Sequence, residues 1–388
     1  MALARRTVLK GAGLLLAAAG GALAWRVASQ HVFTPARGPA YAPWEAWNGD
    51  PGEGPVRLVR AAILAANPHN TQPWLFHVTQ SHIDVYADTR RRIGTIDPYL
   101  REMYIGVGCA LENLLIAAEA GGYRPSVVLT PDASNPAHAA SIELVAATPA
   151  PSELYRAIPM RHTNRGRYDT DRPIPPELLR RLAALSDDSP EVRIFWFSDP
   201  ASRSRLGNLI VEAAQAIVAD KQQAGDSAKW FRGDWAAIES HRDGITLDAQ
   251  SLPPLVNAIA KVLPEPAQET ADRMWLQATR ETHVGTAGAF GILAVRDRDS
   301  TAQRITAGRS WERMHLWATT QGLAMQPLNQ LPERADRERQ LASEPRFGNA
   351  LRDLIGDPGW QALMPFRVGY PKSVALPSPR RDVRSVLL

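Results

Sequence analysis

The sequence predicts an α+β fold made of two fused halves, each a mostly antiparallel sheet flanked by helices, with a helical lid insertion. Three observations predict it. Short strand-like runs interleave with amphipathic helical ones. A helical stretch opening at Gly108 recurs in the same register at Gly308, and an aromatic, proline-broken segment interrupts the second copy.

The first element is an address. Arg5 and Arg6 precede Thr7-Val8-Leu9-Lys10 and an apolar run from Gly11 to Trp25, with small residues at Ala22-Leu23-Ala24 and Val27-Ala28-Ser29. Residues 1–29 therefore read as a signal segment resembling the twin-arginine export signal. The expected partner is the twin-arginine export machinery. The expected location is the periplasm or the outer side of the cytoplasmic membrane. Roughly 15 apolar residues is short for a full span, which favours a signal over a resident helix, and retention as an anchor stays open. Residues 30–55, rich in Pro, Gly and Trp, read as a linker wrapping the domain surface.

The first half, 56–152, carries strand patterns at Leu75–Thr79 and Ile83–Ala87, spaced as a hairpin, and at Val127–Thr130 and Ile142–Ala146. The second, 153–388, has them at Val192–Phe197 and Phe290–Val295. Without a gap, Gly108 matches Gly308, Glu112 matches Glu312, Ala118 matches Ala318 and Gly122 matches Gly322. Asp97 and Ile105 likewise fall opposite Asp297 and Ile305. Glycines at both ends in one register indicate common origin rather than two unrelated amphipathic helices. The insertion, about Gly225 to His283, holds Trp230, Phe231, Trp235 and Trp275 among polar residues and prolines. It reads as helical turns forming a lid, or else a peripheral packing excursion.

Composition narrows the function. The chain has 388 residues, 45% hydrophobic and 22% charged, as expected of a globular protein rather than a disordered one. The formal charge of +4 is scattered, only Arg90–Arg92 form a basic run, and a nucleic-acid face is excluded. Only five basic residues are Lys, so arginine pairs arise often by chance. The single cysteine, Cys109, allows no intramolecular disulfide and reads as a buried thiol. The nine histidines show no metal-binding spacing, so no metal is assigned.

Two stretches carry chemistry. In NPHNTQPW, Asn67 to Trp74, the amides of Asn70 and Gln72 can each donate and accept, matching the polar edge of a flavin ring. In RHTNR, Arg161 to Arg165, two guanidiniums flank the Thr163 hydroxyl, a grip for a phosphate monoester, and an amphipathic helix with Leu178, Leu179, Leu182 and Leu185 follows. The terminal SPRR, Ser378 to Arg381, offers two more cations, as a solvated tail or one reaching back to the phosphate. If these segments meet, the chain holds FMN at the junction of its halves.

With these residues the chain resembles the nitroreductase family of FMN-dependent oxidoreductases. More narrowly, it resembles the Acg-like branch, in which two such halves are fused. The resemblance rests on ILAANPHNTQPWLF, RHTNRGRYDTDRPIPPELL, the Gly308–Gln330 stretch, RVGYP and SPRR, and it covers most of the chain after the linker. It implies a monomer with pseudo-dimeric halves and one FMN per chain, the reciprocal site being lost. Arg161, Thr163, Arg165, Arg380 and Arg381 are then expected at the phosphate. His69, Asn70, Thr71 and Gln72 are expected along the ring, with Gln326 in the passing Gly322–Gln330 loop. The family loop usually has a Ser before its Asn, which Ala66-Asn67-Pro68-His69 lacks, and the insertion is absent from simple nitroreductases. The implied reaction is hydride transfer through flavin N5 from NAD(P)H or another reductant, with no catalytic side chain named. The alternatives are a flavin storage or sequestering protein closed by its lid, and a membrane-tethered structural protein without cofactor.

Overall fold

The computed structural model describes residues 21, 23–186 and 189–388. The twin-arginine motif and most of the apolar run after it therefore lie outside the described residues. The first half forms a four-stranded sheet from β1 (Trp74–Val78), β2 (His82–Ala87), β3 (Tyr123–Leu129) and β4 (His138–Ala146). The second forms another from β5 (Val192–Phe197), β8 (Ala289–Val295), β9 (Ala324–Pro327) and β10 (Gln361–Gly369). Two-residue strands β6 (Phe231–Arg232) and β7 (Ile245–Thr246) pair in parallel between β5 and β8 in sequence. All pairs in the two large sheets are antiparallel, and their orders, β1-β2-β4-β3 and β5-β8-β10-β9, are one topology written twice.

Between the second and third strands of each sheet runs a long helix, α1 (Arg101–Ala120) and α2 (Thr301–Thr320). α1 is mostly apolar and buried from Arg101 to Ala118, with Arg101, Glu102, Glu112 and Asn113 as its buried polar residues. That composition suits a helix packed all round better than an amphipathic surface one. The helices cross at Gly108 and Gly308. A Cβ on Gly108 would lie 2.1 Å from the Ile305 carbonyl oxygen, and a Cβ on Gly308 would lie 2.1 Å from that of Ile105. This reciprocity is the signature of a twofold contact, here within one chain. Both helices end on a left-handed glycine, Gly122 (φ 84°) and Gly322 (φ 68°). After α2, Leu323 N–H donates to Ala318 O and Gly322 N–H to Thr319 O, a Schellman closure.

One hydrophobic core spans the seam, joining Trp74, Phe76, Ile83, Leu111 and Leu114 to Leu293, Trp311, Met314 and Phe366. β9 and β10 carried no strand signal in the sequence. In β10 the sequence is misleading because Pro365 occupies a central strand and the register shifts between Ala362 and Met364. A bulge of this kind lets a proline sit in a ladder.

In the first half three residues, 79–81, join β1 to β2; at the matching point of the second half the chain leaves after Phe197 and returns at Ala289. The 225–283 insertion is the outer part of this excursion. Its inner part, helix Pro200–Ala219, buries Leu206, Ile210 and Ala213 in a second core with Phe290, Ile292 and Ala294. The outer part contains helices Trp235–His241, Pro254–Val262 and Gln268–Ala278, together with the short β6–β7 pair.

Candidate functional site at the seam

The NPHNTQPW loop is held in an unusual backbone shape. His69, Asn70 and Gln72 all have φ near +50°, although none is glycine. Such residues cost free energy and persist only where contacts over-determine them. Here the contacts are specific. Asn67 Oδ1 accepts from Gln72 N–H at 2.8 Å. Asn70 Nδ2 donates to Gly244 O at 3.1 Å and Pro379 O at 2.9 Å, while its Oδ1 accepts from Arg380. Gln72 Nε2 donates to Arg242 O at 2.7 Å, and its Oε1 accepts from Arg381 N–H at 2.8 Å. The amides expected to face a ring edge are thus satisfied by the insertion and the C-terminal tail.

The arginine stretch arrives at the same place. Arg161 Nη2 donates to Leu64 O at 2.7 Å, just before the loop, and Arg161 Nε lies 2.8 Å from Glu312 Oε1 in α2. Arg380 Nη2 shares the Leu64 carbonyl at 3.2 Å and reaches Ala65 O. The linker closes over them. Trp44 Nε1 donates to Ser378 O at 2.7 Å, its ring lies under the Arg380 guanidinium and it meets His162 edge-on. The expected surface linker is therefore inward-turned here, with Ala40, Tyr41 and Trp44 buried. Thr163 is half-buried between these groups in sequence.

Arg165 is half-buried and donates to Ala249 O at 3.0 Å. Gln326, in β9, joins through a residue the sequence reading missed: its Oε1 accepts from Arg367 Nε at 2.7 Å. Fully buried Arg367 also donates to Asn164 O and Gly166 O and stacks on Tyr168. The only sequence signal for it was its place in RVGYP. Arg381 stays at the rim, half-buried, donating to Gln72 O and Ser385 O.

The electrostatics are one-sided. Among the described residues, Arg161 is paired with Glu312, while Arg165, Arg367 and Arg380 hydrogen-bond only to neutral oxygens, Arg380 lying within reach of the Glu312 charge that it shares with Arg161. Burial lowers the pKa of Arg380 to about 9, with Arg161 adding, and that of Arg165 to about 10. Four histidines nearby are kept neutral. Burial, then Arg165, lowers His69 to about 4; burial, then Arg161 and Arg380, lowers His162 to about 3. His283 and His315 are shifted well down for the same two reasons. Several buried polar atoms here lack a partner: Thr71 Oγ1, Arg380 Nε, His283 Nδ1 and His315 Nδ1.

The insertion covers the seam. His69 Nε2 meets Ser227 Oγ at 2.9 Å, Arg91 pairs with Asp243, and the carbonyls of Arg242, Gly244 and Ala249 take the donors named above. Cys109 lies in the helix crossing, buried, its thiol pKa raised by burial, with Sγ 3.3 Å from Gly308 O.

Fold and site together define a pseudo-dimeric α+β protein with a buried cationic seam. No protein-family model matches the chain. Two Mycobacterium tuberculosis (strain ATCC 25618 / H37Rv) relatives carry the name "Putative NAD(P)H nitroreductase". One, Rv3131, is 23% identical over 339 residues, covering 85% of this chain and 90% of its own length. The other, acg, is 31% identical over 85 residues, 22% of this chain and 26% of its own. Among solved structures, the FMN-dependent nitroreductase NfnB from Mycobacterium smegmatis in complex with NADPH aligns at TM-score 0.38 and 16% identity, over 60% of this chain and 96% of that one. A nitroreductase with bound FMN from Bacteroides fragilis NCTC 9343 aligns at 0.35 and 14%, over 60% and 95%. The chain is thus similar over most of its length to a protein named as a putative nitroreductase, and over a shorter stretch to acg.

Proposed function

We propose that the protein is an FMN-dependent oxidoreductase of nitroreductase type, with one FMN per chain at the seam between its halves. The observation that carries this is the surplus of buried cation. Arg165 and Arg367 sit together with no carboxylate on either, and Arg380 lies with Arg161 beside the single carboxylate of Glu312. Buried charge without a counter-ion costs several kcal/mol per group, and a bound phosphate dianion would offset it. The donor set fits that group, since guanidiniums and the Thr163 hydroxyl suit phosphate oxygens, and Arg380 Nε and Thr71 Oγ1 remain free to donate. Arg161, Thr163, Arg165, Arg380 and Arg381 would hold the phosphate. The 69–72 loop would line the ring, with Gln326 fixed beside it by Arg367.

When bound, FMN supplies hydride transfer through its N5 between NAD(P)H and an acceptor. The chain's own part is to bind, orient and exclude water. His69, His162, His283 and His315 stay neutral at pH 7, so the positive potential at the seam comes from arginines and changes little with pH near neutrality. The Asn70 and Gln72 amides become available to a ring edge only as Gly244 and Arg242 yield, which ties access to the insertion. The relatives' names support the NAD(P)H assignment, and the twin-arginine segment supports export after folding.

The test is the absorbance spectrum and FMN content of the purified full chain, before and after anaerobic NADPH. A flavin spectrum near one FMN per chain that bleaches on NADPH addition is expected. A protein that stays colourless after incubation with FMN overturns the reading. Arg165→Gln should weaken FMN binding about tenfold or more, while the FMN-free fold is no less stable, because a buried cation is removed. Unchanged FMN affinity would place the phosphate elsewhere.

A further inference from the structure

The helix Pro254–Val262 in the insertion is inside out. Its buried residues are Asn257 and Lys261. Asn257 Nδ2 donates to Asp248 Oδ1 at 2.7 Å, and Lys261 pairs with the same carboxylate at 2.8 Å. Its apolar residues face the other way. Leu255 is 72% exposed, Val256 49%, Ile259 51% and, just after the helix, Leu263 56%. A helix that secures its polar side to the protein and offers leucine, valine and isoleucine outward is not a soluble surface pattern.

What lies beside this face identifies its occupant. Residues 23–29 are helical and enter the fold here, Arg26 Nη2 donating to Leu263 O at 2.9 Å. Leu23 and Trp25 are exposed as well, Trp25 at 71%. The chain that precedes them is the apolar run from Gly11, with Arg5, Arg6 and Lys10 before it. Further on, His31 stacks on Trp235 and Ala36 N–H donates to Asp248 at 2.9 Å, so the entering chain and the insertion form one unit. A helix with an apolar outer face and an exposed tryptophan beside it, in a chain whose preceding sequence is apolar and basic-flanked, are the ingredients of interfacial lipid binding.

We infer that the outer face of the insertion, Leu255, Val256, Ile259 and Leu263 with Leu23 and Trp25, rests in the headgroup–acyl boundary of a lipid bilayer. The insertion that covers the seam is then the membrane-facing side of the protein. This holds whether or not the seam binds FMN.

The test uses the full chain with vesicles of equal parts phosphatidylcholine and phosphatidylglycerol. An environment-sensitive fluorophore is placed at Ile259→Cys, with Val128→Cys on β3 as an exposed control. The one native thiol, Cys109, is buried and spared from labelling. Vesicles should blue-shift the probe at 259 and allow quenching from the acyl chains, leaving the probe at 128 unchanged. Leu255→Asp with Ile259→Asp should lower vesicle partitioning about tenfold with an unchanged melting temperature, since both side chains are exposed. An unshifted probe at 259 on vesicle-bound protein overturns the inference. So does a shift without vesicles: concentration-dependent, it would mean a second copy covers the face, and otherwise the chain's own N-terminal segment.

Discussion

Glu112 and Glu312 occupy matched places in matched helices, both fully buried, yet they face different partners. Glu112 binds Arg309 and Arg313, whose side chains are 29% and 35% exposed and lie in the neighbouring helix. Glu312 binds Arg161, 2% exposed, and accepts from Ala66 N–H at 3.2 Å, tying α2 to both stretches that the sequence marked out. One carboxylate discharges its charge toward solvent, and the other sits inside a cluster of cations. The repeated topology places one helix pair across the seam, and the two ends of that pair differ in what meets them. Only the Glu312 end has a loop, an arginine stretch and a tail converging on it.

The largest test of this contrast is removal of each carboxylate. Glu312→Gln should cost about 3–5 kcal/mol in denaturant unfolding, because Arg161 is left buried and unpaired. Glu112→Gln should cost about 1 kcal/mol, since its arginines can turn to water. Equal losses would erase the asymmetry. The crossing itself tests the symmetry. Gly108→Ala and Gly308→Ala should each cost about 1–3 kcal/mol, and by similar amounts, as each Cβ strikes the partner helix's backbone. A large effect in only one would show that the helices are not equivalent at that point.

The smallest effect is one of pH. Unfolded, His69 takes up a proton near 6.5; folded, it does so only near 4. The native state then binds fewer protons, so its stability is intact above pH 6.5 and declines as pH falls toward 4, and His162 extends the decline toward 3. His69→Gln should flatten part of that slope in unfolding midpoints measured across the window. An unchanged slope would mean His69 is no more buried folded than unfolded. Glu333, buried in the helix Gln330–Gln340 beside Arg101 and Glu102 at the start of α1, works in the opposite sense. Burial raises that carboxyl to about 7, so its contribution is lost as pH climbs from 4.5 through 7.

Much of the architecture was legible because it rests on local pattern. Short strand-like runs marked β1 to β5 and β8, and the closing glycines marked both copies of the long helix. β9 and β10 were not legible, since a four-residue strand is too short for a pattern and Pro365 argues against a central one. At the site, the loop and RHTNR stood out by residue type. Arg367 did not, because one arginine among 39 carries no signal until its neighbours are known.

By itself the sequence determined the repeat, its register and the residue types able to bind an anion, since all of these follow from spacing along one chain. Only the tertiary structure decided which carboxylate would answer which arginine, and that Arg165 and Arg367 would have none while Arg161 and Arg380 share Glu312. It also decided that the insertion would turn its apolar side outward. Those outcomes depend on contacts between residues far apart in the chain, such as Arg380 with Leu64, 316 positions away, or Arg165 with Ala249, 84 away. Hydrophobic spacing governs which face of a segment is buried, but it does not choose the partner that burial brings.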